Sequence, residues 1–363
     1  MARTGEKKKH LTSYDIADEL GLMALTPTQL VRHAIHCAKV GEPLGVLGRP
    51  GQGKTSLLVQ ISNQLHKQLI VERLNGRDPT DMGLPYLFED DFGTRRHSWS
   101  SPDWFRSTHD PVSEQYPGGW VLFYDELAQA LPAMQNRVGE TLYERALNNK
   151  PMHDKVWVVW AANFAQDKAA TYPIPRQILN RSSVVVLAPD QDDFFRFCSV
   201  NKIRAEIPAF VKLCPDTLDS YDADAMVNCT PRSLVALSAL LDRKPSADEE
   251  LALYSSIIGK GYGAQFVGFM RTWRDLPKLE TIIANPKKAP LPDEDQTDVM
   301  CAVSAMLGRA MDKLNAAPVI EYLVRLPAEF CVFSLREAMR RDPDLKKVRA
   351  VTDWAIKHGD VVW

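Results

Sequence analysis

The 363-residue sequence contains no apolar run long enough to cross a bilayer, and no apolar core follows the Lys7-Lys8-Lys9 cluster as it would in a secretory leader. Cysteine is sparse and unpatterned: Cys37, Cys198, Cys214, Cys229, Cys301 and Cys331 never fall in a C-x-x-C spacing. That speaks against a zinc ribbon or a disulfide framework and suits small buried hydrophobes in a reducing compartment. A basic excess is missing too, since 44 Lys and Arg stand against 46 Asp and Glu. A chain whose main business is coating nucleic acid usually carries one. Internal repeats and low-complexity tracts are also lacking. The expectation is a cytoplasmic protein with no membrane segment, in which 45% hydrophobic and 25% charged residues make an ordinary globular balance.

What is present is a run of short, continuously apolar segments in the first half. "LGVLG" (44–48), "LIVERL" (69–74), "WVLFYDE" (120–126), "VWVVWAAN" (156–163) and "SSVVVLAP" (182–189) are bounded by turn residues. Continuous rather than alternating hydrophobicity marks strands covered on both faces, hence a five-stranded parallel α/β sheet. Thr26-Pro27 reads as a helix start, with Leu30, Val31, Ala34, Ile35 and Ala38 on one face. Beyond Pro189 the apolar pattern becomes helical. These shifts suggest an N-terminal arm and linker over 1–25, an α/β domain over 26–190, a helical domain over 191–284 and a helical C-terminal extension over 285–363. The last would be reached through a Pro- and charge-rich linker, "NPKKAPLPDEDQ".

The first strand runs into Gly48-Arg49-Pro50-Gly51-Gln52-Gly53-Lys54-Thr55-Ser56, a full match to the phosphate-binding loop G-x-x-x-x-G-K-[ST] between a strand and a helix. Its glycines allow backbone N–H groups to turn around phosphates, Lys54 adds charge, and the Thr55 hydroxyl suits Mg²⁺. Asp125 and Glu126 close a buried strand at the end where such sheets bind ligands. Asp125 is therefore a candidate for the Mg²⁺ shell, and Glu126 for orienting and deprotonating a water. Asn163 closes the next strand and could hold that water in line. Arg181 precedes the last strand, too far round the sheet for its own nucleotide, and suits a finger offered to a neighbouring subunit; Arg176 is its rival. Arg232 projects from the first turn of a helix capped by Thr230 and started by Pro231, from which it could reach back over the phosphates.

The order of these motifs resembles that of the AAA+ ATPases. Within them, "RLNGRDPTDMGLP" (73–85), "YDELAQALPAMQNRVGETLYERAL" (124–147) and "AANFAQDKAATYPIPRQILNRSSVVVL" (161–187) are similar to the MoxR branch. The resemblance covers roughly residues 30–245. It implies a sheet of strand order 5-1-4-3-2 followed by a helical lid, and a homo-oligomeric ring, usually a hexamer, with ATP and Mg²⁺ between subunits. It also implies a protein client, in this branch often a partner with a von Willebrand A domain. Where the family usually places Phe after the finger arginine, this chain has Ser182. Helix-loop insertions near 78–118 would face the pore or the client. Of the aromatics there, Trp99 and Trp104 are expected to pack the insert, and Tyr86 and Phe88 to touch the client. The Lys7–Lys9 arm and Arg95-Arg96-His97 beside these aromatics keep a second reading open, a motor or loader acting on DNA or RNA.

Overall fold

The computed structural model describes residues 11–167, 172–293 and 295–358. The basic arm over the first ten residues lies outside them, as do residues 168–171 of the segment before Arg181 and the last five residues. The chain divides into two compact units: residues up to Ala188 with Tyr221–Asp224, and Pro189–Ser220 with the chain from Ala225 onward.

In the first unit, strands β1 (Met23–Leu25), β2 (Leu44–Leu47) and β3 (Gln68–Arg73) are followed by a hairpin of β4 (Pro85–Glu89) and β5 (Arg95–Trp99). Then come β6 (Trp120–Asp125), a two-rung hairpin of β7 (Ala146–Leu147) and β8 (Lys150–Pro151), β9 (Val156–Ala162) and β10 (Ser183–Leu187). Six of these form one sheet in the order β1-β10-β2-β9-β6-β3, with every neighbouring pair parallel. Count and order thus differ from the expected five strands by one edge strand. Met23-Ala24-Leu25 is too short to stand out as an apolar run, and its ladder comes from β10.

That strand also corrects the assignment of residues 1–25 to an arm. Helix Ser13–Leu20 is closed by a Thr12/Asp15 capping box and by Gly21 at φ 66°, the left-handed position glycine occupies without a Cβ penalty. Its Ile16 and Ala17 are buried with Phe164 and Val186. Residues 13–25 therefore belong to the α/β unit.

Successive residues of the central strands go to opposite faces, and both faces are covered. Val121, Phe123, Trp157 and Val159 pack with Leu30, Ala34, Leu58 and Ile61 of helices Pro27–Val40 and Lys54–Gln64. Leu122, Tyr124, Val158 and Trp160 pack with Met134, Val138, Leu142 and Ile178. This is why the strands read as continuous apolar runs.

The insert between β3 and β6 holds a 3-10 turn, Pro79–Met82, in the expected helix-loop region, but its regular structure is the β4-β5 hairpin rather than an α-helix. Asp90 builds its turn by accepting from the backbone N–H groups of Phe92 and Thr94, with Gly93 at φ 74°. Tyr86 and Phe88 are exposed and Trp104 is buried, as expected, but Trp99 is 37% exposed on β5 rather than packed away.

In the second unit the expected lid (191–284) and extension (285–363) are one body. Ala302, Ala305 and Phe333 lie in the same core as Phe194, Phe210, Leu237, Tyr254 and Phe266. The presumed linker is tied down as well: Arg325 donates to the carbonyls of Pro286 and Ala289, Tyr322 donates to Pro290, and Ala289 is buried.

A Cβ on Gly45 would overlap the ring of Trp160 on the adjacent strand. Gly45→Ala should therefore destabilise the first unit by about 1–3 kcal/mol, read from urea unfolding. An unshifted midpoint would contradict that packing.

Candidate nucleotide site

The parallel register brings the C-terminal ends of β2, β9 and β6 side by side. Leu47 pairs with Ala162 and Tyr124 with Trp160, and the Gly48 N–H donates to the Ala162 carbonyl at 3.1 Å. Residues 48, 163 and 125 leave this edge together although they are far apart in sequence.

The loop from Gly48 to Gly53 turns on glycines at φ 79° (Gly51) and 91° (Gly53), a region that strains other residues. Gly53 is the N-cap of helix Lys54–Gln64 and makes no side-chain capping bond. The first-turn N–H groups consequently lack the partner a Ser or Asp cap would supply, a combination that suits an anion. Gln52 locks the loop from inside. Its Oε1 accepts from the Arg49 N–H at 2.8 Å, and its amide donates to Ser13 Oγ at 2.9 Å.

Lys54 Nζ donates to the carbonyls of Gly48 (2.6 Å) and Arg49 (3.0 Å) and to Asn163 Oδ1 (2.8 Å). Thr55 Oγ1 donates to Asp125 Oδ2 at 3.2 Å. A hydroxyl and a carboxylate so close form the hard-oxygen pair that Mg²⁺ takes when phosphates and water complete its shell. Among the described residues no cluster of three or more His, Cys, Asp or Glu could hold a metal by itself. The donor set fits a metal brought in with phosphates rather than a resident ion.

Glu126 follows Asp125 in the left-handed region, φ 59°, which costs a non-glycine residue on the order of 1 kcal/mol or more. Its N–H donates back to Asp125 Oδ1 at 3.0 Å, and its carbonyl accepts from Gln129 at 2.8 Å. The half-buried carboxylate makes no hydrogen bond or ion pair among the described residues.

Pro50 and Ser56 complete the loop, Pro50 half-buried and Ser56 exposed. The sequence motif did not single out Arg49, the variable position after Gly48. Its guanidinium donates to the Leu11 carbonyl and stands over the Tyr221 ring, 5.6 Å from the centroid. Burial, with Asp167 nearby, pushes the Tyr221 phenol up from its ordinary value. Since any residue satisfies that motif position, nothing in the pattern marks it.

Arg181 lies at the other end of the sheet. Ser183 pairs with Leu44 and Val186 with Leu47, so at ~3.3 Å per residue the start of β10 is roughly 13 Å back along the strand from the level of Gly48, and Arg181 lies in the turn before it. Its exposed guanidinium stacks on Tyr143, 4.5 Å from the ring centroid. Tyr143 belongs to the π-helical turn Glu140–Glu144. Arg176 is exposed at the start of the short helix Arg176–Leu179. Arg232 is exposed in the first turn of helix Pro231–Leu241 of the second unit, under the expected Thr230 cap. Ser182 accepts from the buried Trp160 indole at 2.9 Å and donates to the Ile178 carbonyl at 2.9 Å.

No protein-family model and no curated protein matches the chain. Among solved structures, NtrX from Brucella abortus is similar at a TM-score of 0.35 and 16% identity, over 63% of this chain and 53% of NtrX. The chain thus spans about half the length of that structure. NtrX in complex with ADP is similar at 0.35 and 14%, over 92% and 68%. A candidate ATPase from Cytophaga hutchinsonii is similar at 0.35 and 11%, over 96% and 94%. At these values the likeness assigns nothing, and the reading below stands on the geometry of the site.

Ser182→Ala would leave the Trp160 N–H buried without its acceptor. The cost should be about 1–3 kcal/mol, measured as a lowered denaturation midpoint; an unchanged midpoint would show that the indole does not depend on Ser182.

Proposed function

We propose that the chain is an ATPase of AAA+ type, hydrolysing ATP to ADP and phosphate in a homo-oligomeric ring. The observation that carries this reading is the convergence of Lys54, Thr55, Asp125 and Asn163 at one edge of a parallel sheet, joined by hydrogen bonds of 2.8 and 3.2 Å.

The loop backbone and Lys54 would hold the phosphates. The lysine charge now rests on carbonyl and amide oxygens, and phosphate oxygens would be stronger partners because the bond becomes charge-assisted on both sides. Thr55 and Asp125 would hold Mg²⁺, which supplies neutralisation of charge on the phosphate oxygens. Glu126 is the general base. Its carboxylate, free of other partners among the described residues, takes the proton of the attacking water as the bond from water oxygen to phosphorus forms and the bond to ADP breaks. Release of Asn163 from Lys54 would free its amide to orient that water. Arg181, on the far edge of the sheet, would serve the site of an adjacent subunit, and Arg232 would respond to nucleotide from the second unit.

Within AAA+ proteins the resemblance of the three motif stretches favours the MoxR branch, a hexamer and a protein client. A von Willebrand A domain partner is the first to test. The exposed Tyr86 and Phe88, with ring centroids 6.2 Å apart, offer an apolar contact on the hairpin. The nucleic-acid reading draws on Arg96 opposite Phe88, but Asp90 pairs with Arg96 at 2.6 Å, and Glu89 and Asp91 flank it. That charge balance favours the protein client. ATPase rates with single-stranded DNA at two salt concentrations separate the two readings; strong salt-sensitive stimulation would reverse the preference.

Glu126→Gln should keep ATP binding and lose turnover by about 10²-fold or more, measured as bound nucleotide against phosphate release. Unimpaired turnover would remove Glu126 from the base role. Arg181→Ala and Lys54→Ala should each be inactive alone, while mixing them should restore part of the activity, because one supplies the pocket and the other the finger. If Arg176→Ala rescues in that mixture and Arg181→Ala does not, the finger is Arg176.

A further inference from the structure

A cleft of about 560 Å³ opens within the second unit, lined by none of the motif residues named so far, and four of the five charged residues in its lining are cations. Lys202, Arg309, Arg340 and Arg341 face it from three segments: the turn after helix Gln191–Val200, helix Thr297–Ala310 and helix Ala328–Arg341. Glu337 is the one carboxylate in the lining. The rest is mainly apolar, with Ile203, Pro208 and Ala305.

The cations differ in what they are tied to. Arg340 is compensated, donating to Glu337 and to Asp192 at 2.7 Å each. Arg309 and Arg341 are fixed by neutral acceptors instead. Arg309 donates to the Ile203 carbonyl at 2.7 Å, and Arg341 to the Met311 carbonyl. A carbonyl orients a guanidinium without cancelling its charge, and each fork keeps further N–H groups for a ligand. Lys202 is exposed, held in a left-handed turn at φ 55°. Among the described residues Lys202, Arg309 and Arg341 form no ion pair. Burial raises the Glu337 carboxyl above its ordinary value, with Arg340 and, less strongly, Arg309 opposing; its hydrogen bond goes to Arg340.

We propose that this cleft binds a small phosphorylated anion, with Arg309, Arg341 and Lys202 on the phosphate oxygens and the apolar wall against its organic part. Phosphate rather than a single carboxylate suits it because three cations that form no ion pair among the described residues line it, two of them planar forks that match phosphate oxygens in pairs. The volume is that of a small-molecule site. The site is separate from the phosphate loop and stands whether or not that loop hydrolyses ATP.

The test uses inorganic pyrophosphate titrated calorimetrically into full-length Lys54→Ala, which silences the loop, and into the same chain with Arg309→Gln and Arg341→Gln. Lys54→Ala should retain a binding site, and the added substitutions should weaken it by about tenfold or more, since each removes a charge-assisted contact. Lys202→Gln, at an exposed side chain, repeats the test should the double substitution disturb folding, and should weaken binding by about threefold or more. No heat of binding to Lys54→Ala, or equal affinity in all the variants, would overturn the proposal.

Discussion

The ammonium of Lys54 sits in a half-buried position where oxygen atoms of the loop and of the neighbouring strand end meet, and the rest of the site is arranged around it. A positive charge removed from water must be matched by acceptors, and here Gly48, Arg49 and Asn163 provide them. The bond to Asn163 ties β9 to the loop after β2. The charge that would grip a phosphate is therefore held in place by the residue proposed to orient the attacking water. Any anion entering the loop competes for this lysine, so occupancy of the loop and the position of Asn163 are coupled by one hydrogen bond.

A second tie runs through the centre of the sheet. Trp160 fills the space a side chain at position 45 would need and donates its N–H to Ser182. One buried indole thus spans the strand that feeds the phosphate loop and the segment carrying Arg181. This gives Ser182 a structural role of its own, while the neighbouring Arg181 stacks on Tyr143. The two arginines considered as fingers differ in this respect: Arg181 is held on a ring, whereas Arg176 stands at an exposed helix start.

Much of the first unit was legible in the sequence because its signals are local. The loop motif needs particular residues at particular positions, and doubly covered strands must be apolar throughout. What could not be read depends on partners distant in the chain. The three-residue strand Met23–Leu25 exists because β10 offers it an edge, and helix Ser13–Leu20, though well capped, was hidden behind a basic N-terminal run. The hairpin turn at Asp90–Gly93 carries only a loose signal, two aspartates with a glycine two residues further on, and that pattern is equally compatible with a helix-loop insert. The Pro-rich stretch from Asn285 reads as a linker because of its composition. Its carbonyls are held by Arg325 and Tyr322, whose side chains nothing local points toward. Likewise the left-handed Glu126 and the bond from Lys54 to Asn163 are consequences of the fold, visible only once the strand ends lie side by side.

The central claim is that the loop is a nucleotide site whose lysine trades loop and strand-end oxygens for phosphate. An experimental structure of the chain with a non-hydrolysable ATP analogue and Mg²⁺ tests it most directly. The account predicts the phosphates within the Gly48–Ser56 loop, Lys54 turned onto them and Asn163 released. Nucleotide bound elsewhere, or Lys54 still bonded to Gly48, Arg49 and Asn163 with the loop saturated, would contradict it.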